Sequence, residues 1–187
     1  MDIDEELTTA YVIETLGNDC VLCHEELCNS MDLAMSLVPH EITEDYYGYP
    51  ARQFIRAVFA YIEAVTFSVK VSSVKKCIDN EIDVSPQERC LAVDADFDLN
   101  SKGEIRDTKA KIPLSSNIRF AILLKRKANG DSTPFDASVE WWGCLKKAIK
   151  VRDRLTHPRF PSDLVLTIDD IVDVINARSG FEEEVNN

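Results

Sequence analysis

Apolar residues along this chain recur mainly at spacings of three and four positions, which is the pattern of amphipathic α-helices. Glycine, proline and helix-capping residues separate these periodic segments. The predicted helices are Ile3–Leu16, Asn18–Val38, Ala51–Lys76, a short helix after Ser85, a helix from Ser116 or Asn117 to Lys127, Ala137–Thr156 and Ile168–Arg178. No convincing series of alternating strands interrupts them. The predicted fold class is therefore all-α, a helical bundle with a central polar loop or small hairpin insert at Asp94–Lys111.

A few residues set the expected helix boundaries. Gly17 is expected to close the first helix and Pro39 to stop the second. Pro50 is expected to begin the third helix after a loop at His40–Tyr49. The remaining predicted signals are a capping box at Ser85-Pro86-Gln87-Glu88, N-caps at Asp136 and Thr167, and helix ends at Asn129-Gly130-Asp131 and at Gly180. Residues 1–180 then form a single helical domain, and residues 181–187 form an acidic tail.

The helix predicted at Ala51–Lys76 is apolar on most of its circumference, which is typical of a central, buried helix. One narrow polar stripe remains on it, formed by Arg52, Arg56, Glu63 and Lys70. A solvated edge is the simpler interpretation of that stripe. The alternative is that these side chains line a cleft.

Charge and composition exclude some classes of protein. The 187 residues carry a formal net charge of −12, which argues against a generic DNA-coating protein, because such a protein needs a basic face against the phosphates. The acidic N-terminus lacks the features of a secretory signal, and no apolar run approaches the roughly 18 residues of a membrane helix. We therefore expect a cytoplasmic protein, without a membrane partner, whose six cysteines are reduced.

Four residues near the N-terminus have the types that bind metals. The pattern from Cys20 through Cys23 to His24 matches attachment of c-type haem, and with Cys28 it has the ligands of a zinc site. On a helix, however, these residues fall on one stripe with apolar neighbours such as Leu27. Cysteine packs as a small hydrophobe. A core stripe is favoured, and a metal-binding helical protein is kept as an alternative.

The polar insert contains alternating acids that resemble part of a calcium-binding loop. Starting from Asp94, however, the sixth position is Leu99 rather than glycine and the twelfth is Ile105 rather than glutamate. Starting from Asp96 does not restore the pattern. An acidic turn or small hairpin is therefore preferred over a calcium site.

Residues 146–159 form a basic island in this acidic chain, with six cations and one acid, a net charge of +5. Such an island is typical of a site for phosphate groups. Arg152 falls within the apolar stripe of the predicted helix. Because arginine keeps its charge and a buried charge needs a partner, we expect an anion there. Asp153, a carboxylate from another helix or a ligand phosphate would satisfy it.

His157 lies five residues beyond Arg152 and precedes Pro158. A proline disfavours helical geometry in the residue before it, so His157 is expected at the exposed, fraying end of the helix. Histidine titrates near neutral pH and serves as a general base or acid. The planar donor fork of arginine suits the charge that grows on a phosphate during cleavage.

The stretch Arg152-Asp153-Arg154-Leu155-Thr156-His157-Pro158 resembles the R-x(4–6)-H motif of the HEPN superfamily, in the form with a polar residue after the arginine. The tryptophan-bearing helix before it resembles the second, motif-bearing helix of HEPN domains. The long apolar helix with Arg56 and Glu63 resembles its packing partner. The resemblance covers about Pro50–Arg178 and, more loosely, the two N-terminal helices.

The resemblance implies a single HEPN-like domain that forms a homodimer and brings two motifs into one cleft. Many such proteins are metal-independent endoribonucleases of toxin–antitoxin and phage-defence systems. They cut RNA through its own 2′-hydroxyl and leave a 2′,3′-cyclic phosphate, without a cofactor. The implied partners are RNA and an antitoxin or other regulatory protein. The alternative is a catalytically inactive HEPN module that binds nucleotide, RNA or a protein partner.

Under the first interpretation, each residue of the motif has an expected role. His157 serves as base in one protomer and as acid in the other, and Arg152 stabilises the phosphate. Asp153 orients His157 or holds Arg152. The residues expected to bind flanking RNA phosphates are Lys150, Arg154 and Arg159. No metal ligand is assigned.

Overall fold

The computed structural model describes residues 3–37 and 44–186, and regular structure in these ranges is almost entirely helical. The elements are α1 (Ile3–Leu37), α2 (Glu44–Asp79), α3 (Pro86–Ala92), β1 (Ala95–Leu99), β2 (Ile105–Lys109), α4 (Leu114–Ala128), α5 (Glu140–Thr156), a 3₁₀ turn (Pro161–Leu164) and α6 (Ile168–Asn186). The predicted all-α class with a small central hairpin is confirmed. None of the helices in these ranges is long and apolar enough to cross a membrane.

Two compact units make up the chain. The first unit comprises Met1–Ala64 and Ala137–Asn187, and the second comprises Val65–Asp136. The division falls inside α2, so that helix contributes its first part to one unit and its second part to the other. Buried apolar side chains of the first unit include Cys20, Leu27, Phe54, Ile55, Val58, Leu145, Leu155, Val174 and Phe181, and those of the second include Cys77, Val84, Ile118, Ile122 and Leu124. Each unit thus has apolar residues of its own to bury.

Gly180 lies inside α6, at a close approach to α5. A Cβ atom added to Gly180 would lie only 2.2 Å from Cβ of Trp141, a separation that two carbon atoms cannot occupy. The helix continues to Asn186, and Phe181 is fully buried. The predicted helix end at Gly180 is therefore wrong. Residues 181–186, expected as a tail, are a helical part of the first unit.

α1 and α2 are both longer than predicted. α1 is continuous through Gly17, so the predicted break there is wrong. A glycine within a helix costs about 1 kcal/mol relative to alanine, and burial of the apolar side of a long helix exceeds that cost. α2 begins at Glu44, so Pro50 lies inside the helix rather than at its start. Pro50 is itself buried, as are Tyr47 and Ala51, and packing of this part of α2 offsets the hydrogen bond that a proline removes. Pro39 and residues 40–43 of the predicted loop lie outside the described residues.

Three capping residues predicted for α4 and α5 do not cap these helices. Ser116 and Asn117 lie within the first turn of α4, and Asp136 lies before a turn that precedes α5. The observed starts are Leu114, after Pro113 at the N-cap, and Glu140, after Val139 at the N-cap. Neither N-cap residue makes a capping side-chain hydrogen bond. The extended backbone at these two positions, rather than a capping side chain, leads into the helices.

Other predicted boundaries are confirmed. The hydroxyl of Ser85 accepts a hydrogen bond from the N–H of Glu88, whose carboxylate accepts one from the N–H of Ser85 at 2.8 Å. At the start of α6, Oγ1 of Thr167 accepts a hydrogen bond from the N–H of Asp170 at 3.1 Å. α4 ends at Ala128 with Asn129 as its C-cap, and Gly130, which follows, has a positive φ of 74°. Local capping chemistry was thus readable in the sequence where it occurs.

The polar insert is an antiparallel hairpin in the second unit, with Ala95 opposite Lys109 and Leu99 opposite Ile105. Alternate residues of its strands point to one face. Phe97, Leu99 and Ile105 share a face and are all exposed. A two-stranded hairpin alone is marginally stable in water, so its attachment to the helices matters.

Asp94 anchors the base of this hairpin to α2. Its carboxylate lies 2.5 Å from Nζ of Lys70, whose side chain is fully buried. The same ammonium donates to the carbonyl of Leu91 at 3.1 Å, and the carbonyl of Asp94 accepts from the N–H of Ala110 at 2.8 Å. A buried ammonium needs such partners because removing a charge from water is costly. These contacts therefore fix the position of the first residue of the insert relative to α2.

The alternating acids of the insert bind the protein's own backbone. Asp96 and Asp98 each accept a hydrogen bond, at 2.8 Å, from the N–H of the following residue, Phe97 and Leu99 respectively. Asn100 accepts two backbone N–H groups of the turn, at 2.9 and 3.0 Å. In this register the N–H groups of Phe97 and Leu99 point away from β2. The two aspartates therefore occupy hydrogen-bond donors at the free edge of β1.

Candidate functional site

Arg152 lies on α5 in the first unit and has two anionic partners. Its Nη2 donates to a carboxylate oxygen of Glu63 on α2, and its Nη1 donates to Asp153 at 3.1 Å. The guanidinium also lies 6.0 Å from the ring centre of Phe59, where a cation is attracted to an aromatic face. About a third of the side chain, 31%, remains exposed. The expectation that an anion accompanies Arg152 is confirmed, and carboxylates supply it.

His157 occupies the C-terminal cap of α5. Its N–H donates to the carbonyl of Asp153 at 3.0 Å, while its φ of −128° and ψ of 58° leave the helix before Pro158. The side chain is exposed, and its ring makes no hydrogen bond with the part of the chain that the structure describes. Five residues of helix separate it from Arg152, about 7.5 Å along the axis. The imidazole is therefore free to meet a ligand.

Asp153 contacts both members of the motif in different ways. Its carboxylate accepts a hydrogen bond from Arg152, and its backbone carbonyl accepts one from the N–H of His157. Of the two predicted roles of the carboxylate, holding Arg152 is the one that the contacts support. Within the described residues, no hydrogen bond joins it to the imidazole of His157.

Arg154 was expected to bind an RNA phosphate, but its contacts are with the protein. Its Nη1 donates to the carbonyls of Asp163, at 3.1 Å, and Val165. Its Nη2 donates to the carboxylate of Asp170 at 2.6 Å. Asp163 and Val165 belong to the stretch Pro158–Thr167, which we call the α5–α6 segment. Arg154 therefore braces this segment against α6, and its guanidinium is only partly accessible.

The six cations of residues 146–159 divide into two sets. Lys147 pairs with Asp173 at 3.2 Å, and this hydrogen bond raises the pKa of the lysine. With Arg152 and Arg154, half of the set is paired with acids. The exposed cations without an ion pair in the described part of the chain are Lys146, Lys150 and Arg159. The positive field of this stretch is thus weaker than its net charge of +5 suggests.

The polar stripe of α2 is more than a solvated edge, which was the simpler interpretation. Glu63 binds Arg152, and Arg52 donates to a carbonyl of the α5–α6 segment at 3.2 Å. Lys70 is the anchor of the hairpin. Arg56 is exposed and has no ion pair among the described residues. The sequence singled out Glu63 as an acid among cations on an otherwise apolar helix. It did not identify Arg152 as the partner of Glu63, because the two residues lie 89 positions apart.

The cysteines of α1 fit a core stripe better than a ligand set. Cys20 is fully buried, and burial raises the pKa of its thiol to about 11; burial also raises that of Cys23. The ring of His24 lies 5.3 Å from that of Phe54, and its Nε2 is 3.8 Å from Sγ of the exposed Cys28. Across residues 3–37 and 44–186, no group of three or more His, Cys, Asp or Glu side chains has the geometry to hold a metal ion. The predicted core stripe is therefore confirmed for Cys20 and Leu27, whereas Cys28 lies on the exposed side of α1 and contacts His24.

No family model, curated protein or solved structure matches this chain. The resemblance to HEPN proteins therefore depends on the motif of α5 and its surroundings. That arrangement combines a partly exposed guanidinium, an exposed imidazole and nearby exposed cations. Such a set can bind a phosphate group and transfer a proton.

Proposed function

We propose that this protein is a metal-independent endoribonuclease of the HEPN type that works as a homodimer in a defence or toxin system. One observation carries the proposal. Arg152 is held on the surface of α5 by Glu63 and Asp153, and His157 stands exposed at the end of the same helix. A fixed cation and an unengaged imidazole are the two groups that RNA cleavage by its own 2′-hydroxyl requires.

In the proposed reaction, the neutral imidazole of one His157 removes the proton of a 2′-hydroxyl. The 2′-oxygen attacks the adjacent phosphorus, and the bond from phosphorus to the 5′-oxygen breaks. The products are a 2′,3′-cyclic phosphate and a 5′-hydroxyl. The leaving oxygen takes its proton from His157 of the second copy, so two copies supply a base and an acid.

Arg152 stabilises the negative charge that grows on the phosphate. A guanidinium has five N–H donors, and two of them point to Glu63 and Asp153. The remaining donors are available to phosphate oxygens, while the carboxylates fix the plane of the group. We assign Glu63 and Asp153 as positioning residues. Of the three residues expected to hold neighbouring phosphates, Lys150 and Arg159 are exposed and have no ion pair among the described residues.

The direct test incubates purified full-length protein with mixed single-stranded RNA, with and without EDTA. His157→Ala is expected to lower the cleavage rate by about 100-fold or more, the usual contribution of a general base. Arg152→Lys keeps the charge but loses the planar fork, and a large loss of rate is expected again. Arg106→Ala, which removes an exposed cation of the hairpin, is the matched control and should cleave as the parent does.

Two results would contradict the proposal. Cleavage that disappears with EDTA would exclude a metal-independent mechanism. Cleavage that persists in His157→Ala would remove His157 from the chemistry. Mass spectrometry of the products gives an independent check, because only attack by the 2′-hydroxyl leaves a 2′,3′-cyclic phosphate.

The pairing of half the basic set with acids favours a second candidate, a catalytically inactive HEPN module. With Lys147, Arg152 and Arg154 in ion pairs, such a module would bind nucleotide, RNA or a protein without cutting RNA. Binding of RNA without cleavage, at concentrations where a dimer is confirmed by sedimentation, would support this second candidate over the first.

A further inference from the structure

Phe160 lies three residues beyond His157, and its side chain is 66% exposed. Three residues of fully extended chain span at most about 11 Å, so the two side chains belong to the same stretch of surface. Arg159, which is exposed and has no ion pair with the described residues, lies between them in the sequence, and the 3₁₀ turn begins directly after Phe160. The candidate site thus has an exposed aromatic residue and an exposed cation within three residues of its histidine.

The backbone around Phe160 is held in place. The carboxylate of Asp163 accepts hydrogen bonds from the N–H groups of Arg159 and Phe160, at 2.7 and 2.9 Å. Helical side chains bind the carbonyls of the α5–α6 segment: Arg154 those of Asp163 and Val165, Arg52 that of Leu164, and Tyr47 that of Leu166. Pro158 and Pro161 further restrict the backbone. The exposure of Phe160 is therefore a property of a braced segment.

Among the described residues, no aromatic or cation–π contact explains why this ring is placed at the surface. Phe160 takes part in no aromatic pair or cation–π contact with the described residues, and it is not a member of the buried core. Proteins bind unpaired nucleobases by stacking them on rigid, exposed aromatic side chains beside cations that take the phosphates. Phe160, with the exposed cation Arg159 directly before it in the chain, has both parts of that arrangement.

We propose that Phe160 is the residue on which one unpaired nucleobase stacks next to the bond that is cut. This inference rests on the proposed function and deepens it, because it assigns a specificity-determining residue outside the R-x(4–6)-H motif. A base in a duplex is stacked between its neighbours and cannot offer its face to the ring. Phe160 thereby selects unpaired positions of an RNA over paired ones.

The test uses the full-length chain with His157→Ala, so that bound RNA stays intact. The measurement is fluorescence anisotropy with a labelled single-stranded oligoribonucleotide. Adding Phe160→Ala is expected to weaken binding about 5- to 150-fold, the range for loss of a base–aromatic stack. Phe160→Trp should retain binding, and Phe160→Leu, apolar but without a π face, should behave as the alanine variant. Phe97→Ala, which removes a ring that is 54% exposed on the hairpin, is the matched control and should bind as the parent does.

A series of oligonucleotides with one abasic position identifies the stacked base. At one position, the abasic change should weaken binding by the chain with Phe160 and have no further effect on Phe160→Ala. If Phe160 had only a structural role, the abasic change would weaken binding equally with and without the ring. Full binding by Phe160→Leu, or a changed oligomeric state at unchanged RNA affinity, would overturn the assignment.

The outcomes separate this inference from the function on which it rests. If the wild-type chain cuts RNA and Phe160→Ala changes neither the affinity nor KM, only the stacking assignment fails. If the wild-type chain cuts no RNA and the His157→Ala chain binds none, the proposed function fails, and the stacking assignment fails with it.

Discussion

The α5–α6 segment and the hairpin are two stretches between α-helices of this chain, and they are held in different ways. Several side chains reach the segment from the helices, chiefly Arg154 and Arg52, and they bind its carbonyls. The hairpin has one main anchor, the ion pair between Lys70 and Asp94 at its base. Aspartates accept backbone N–H groups in both stretches, so local hydrogen bonding does not distinguish them.

The two stretches differ in their long-range contacts. This difference decides what can be inferred from an exposed aromatic ring on each of them. Phe160 stands on a stretch whose backbone is fixed at many points, so little ordering remains to be done when a ligand arrives. Phe97 stands on a two-stranded hairpin whose main anchor lies at its base. Both rings are exposed, but only that of Phe160 stands on a braced backbone, and it is the one that we propose as a binding residue.

The largest effect is expected from removing the single anchor of the hairpin. Lys70→Ala leaves Asp94 without its partner and a cavity in place of a fully buried side chain. We expect the free energy of unfolding to fall by about 3–5 kcal/mol, with early loss of hydrogen-exchange protection in β1 and β2. Urea unfolding measures the first quantity. Arg106→Ala, which breaks only an exposed pair with Asp98, is the control and should lower the free energy of unfolding by no more than about 1 kcal/mol. An equal loss in both variants would contradict the description of Lys70 and Asp94 as the main anchor.

A smaller effect is expected from Arg154→Ala, because the segment keeps its other braces. The variant loses hydrogen bonds to two carbonyls and to Asp170. We expect a loss of about 2 kcal/mol in the free energy of unfolding, and faster hydrogen exchange confined to the α5–α6 segment. Lys147→Ala, on the same helix, breaks an exposed pair and should shift the urea midpoint less. Equal shifts would mean that the segment does not depend on Arg154.

The smallest effect concerns pH. Hydrogen bonds from the N–H groups of Arg159 and Phe160 hold the pKa of Asp163 below its ordinary value of 3.8. A carboxylate whose pKa is lowered by folding stabilises the protein above its ordinary pKa and loses that effect as the pH falls through the folded value. The difference in Tm between the wild type and Asp163→Asn should therefore be largest near neutral pH and shrink below about pH 4. If the difference in Tm does not change with pH, the charge of Asp163 does not contribute to holding the α5–α6 segment.

Local signals in the sequence predicted much of the fold. The capping box at Ser85 and the end of α5 before His157 depend on residues adjacent in the chain, and both were readable. Gly17, Pro50 and Gly180 carry equally clear local signals, and yet helices run through all three. Packing decides these cases, as the approach of Trp141 to Gly180 shows.

For the candidate site too, the sequence predicted the local requirements of single residues but not their distant partners. The need of Arg152 for an anion followed from its place in an apolar stripe, because a buried charge is costly whatever its partner. That Glu63 is a partner, and that Arg154 binds carbonyls of a later segment, did not follow. These contacts join residues distant in sequence, and helical periodicity gives no information about which faces meet.

The aspartates at the edge of β1 set a limit on how far the hairpin's sheet can grow. Asp96 and Asp98 occupy the N–H groups that an added strand would need there, and a strand that finds acceptors but no donors pairs poorly. Strand addition is then more favourable along β2 than along β1. If two copies of the hairpin joined along their β2 strands, the resulting four-stranded sheet would have a β1 strand at each edge. Addition of further copies would then be disfavoured at both edges, and the sheet would not grow into a fibre.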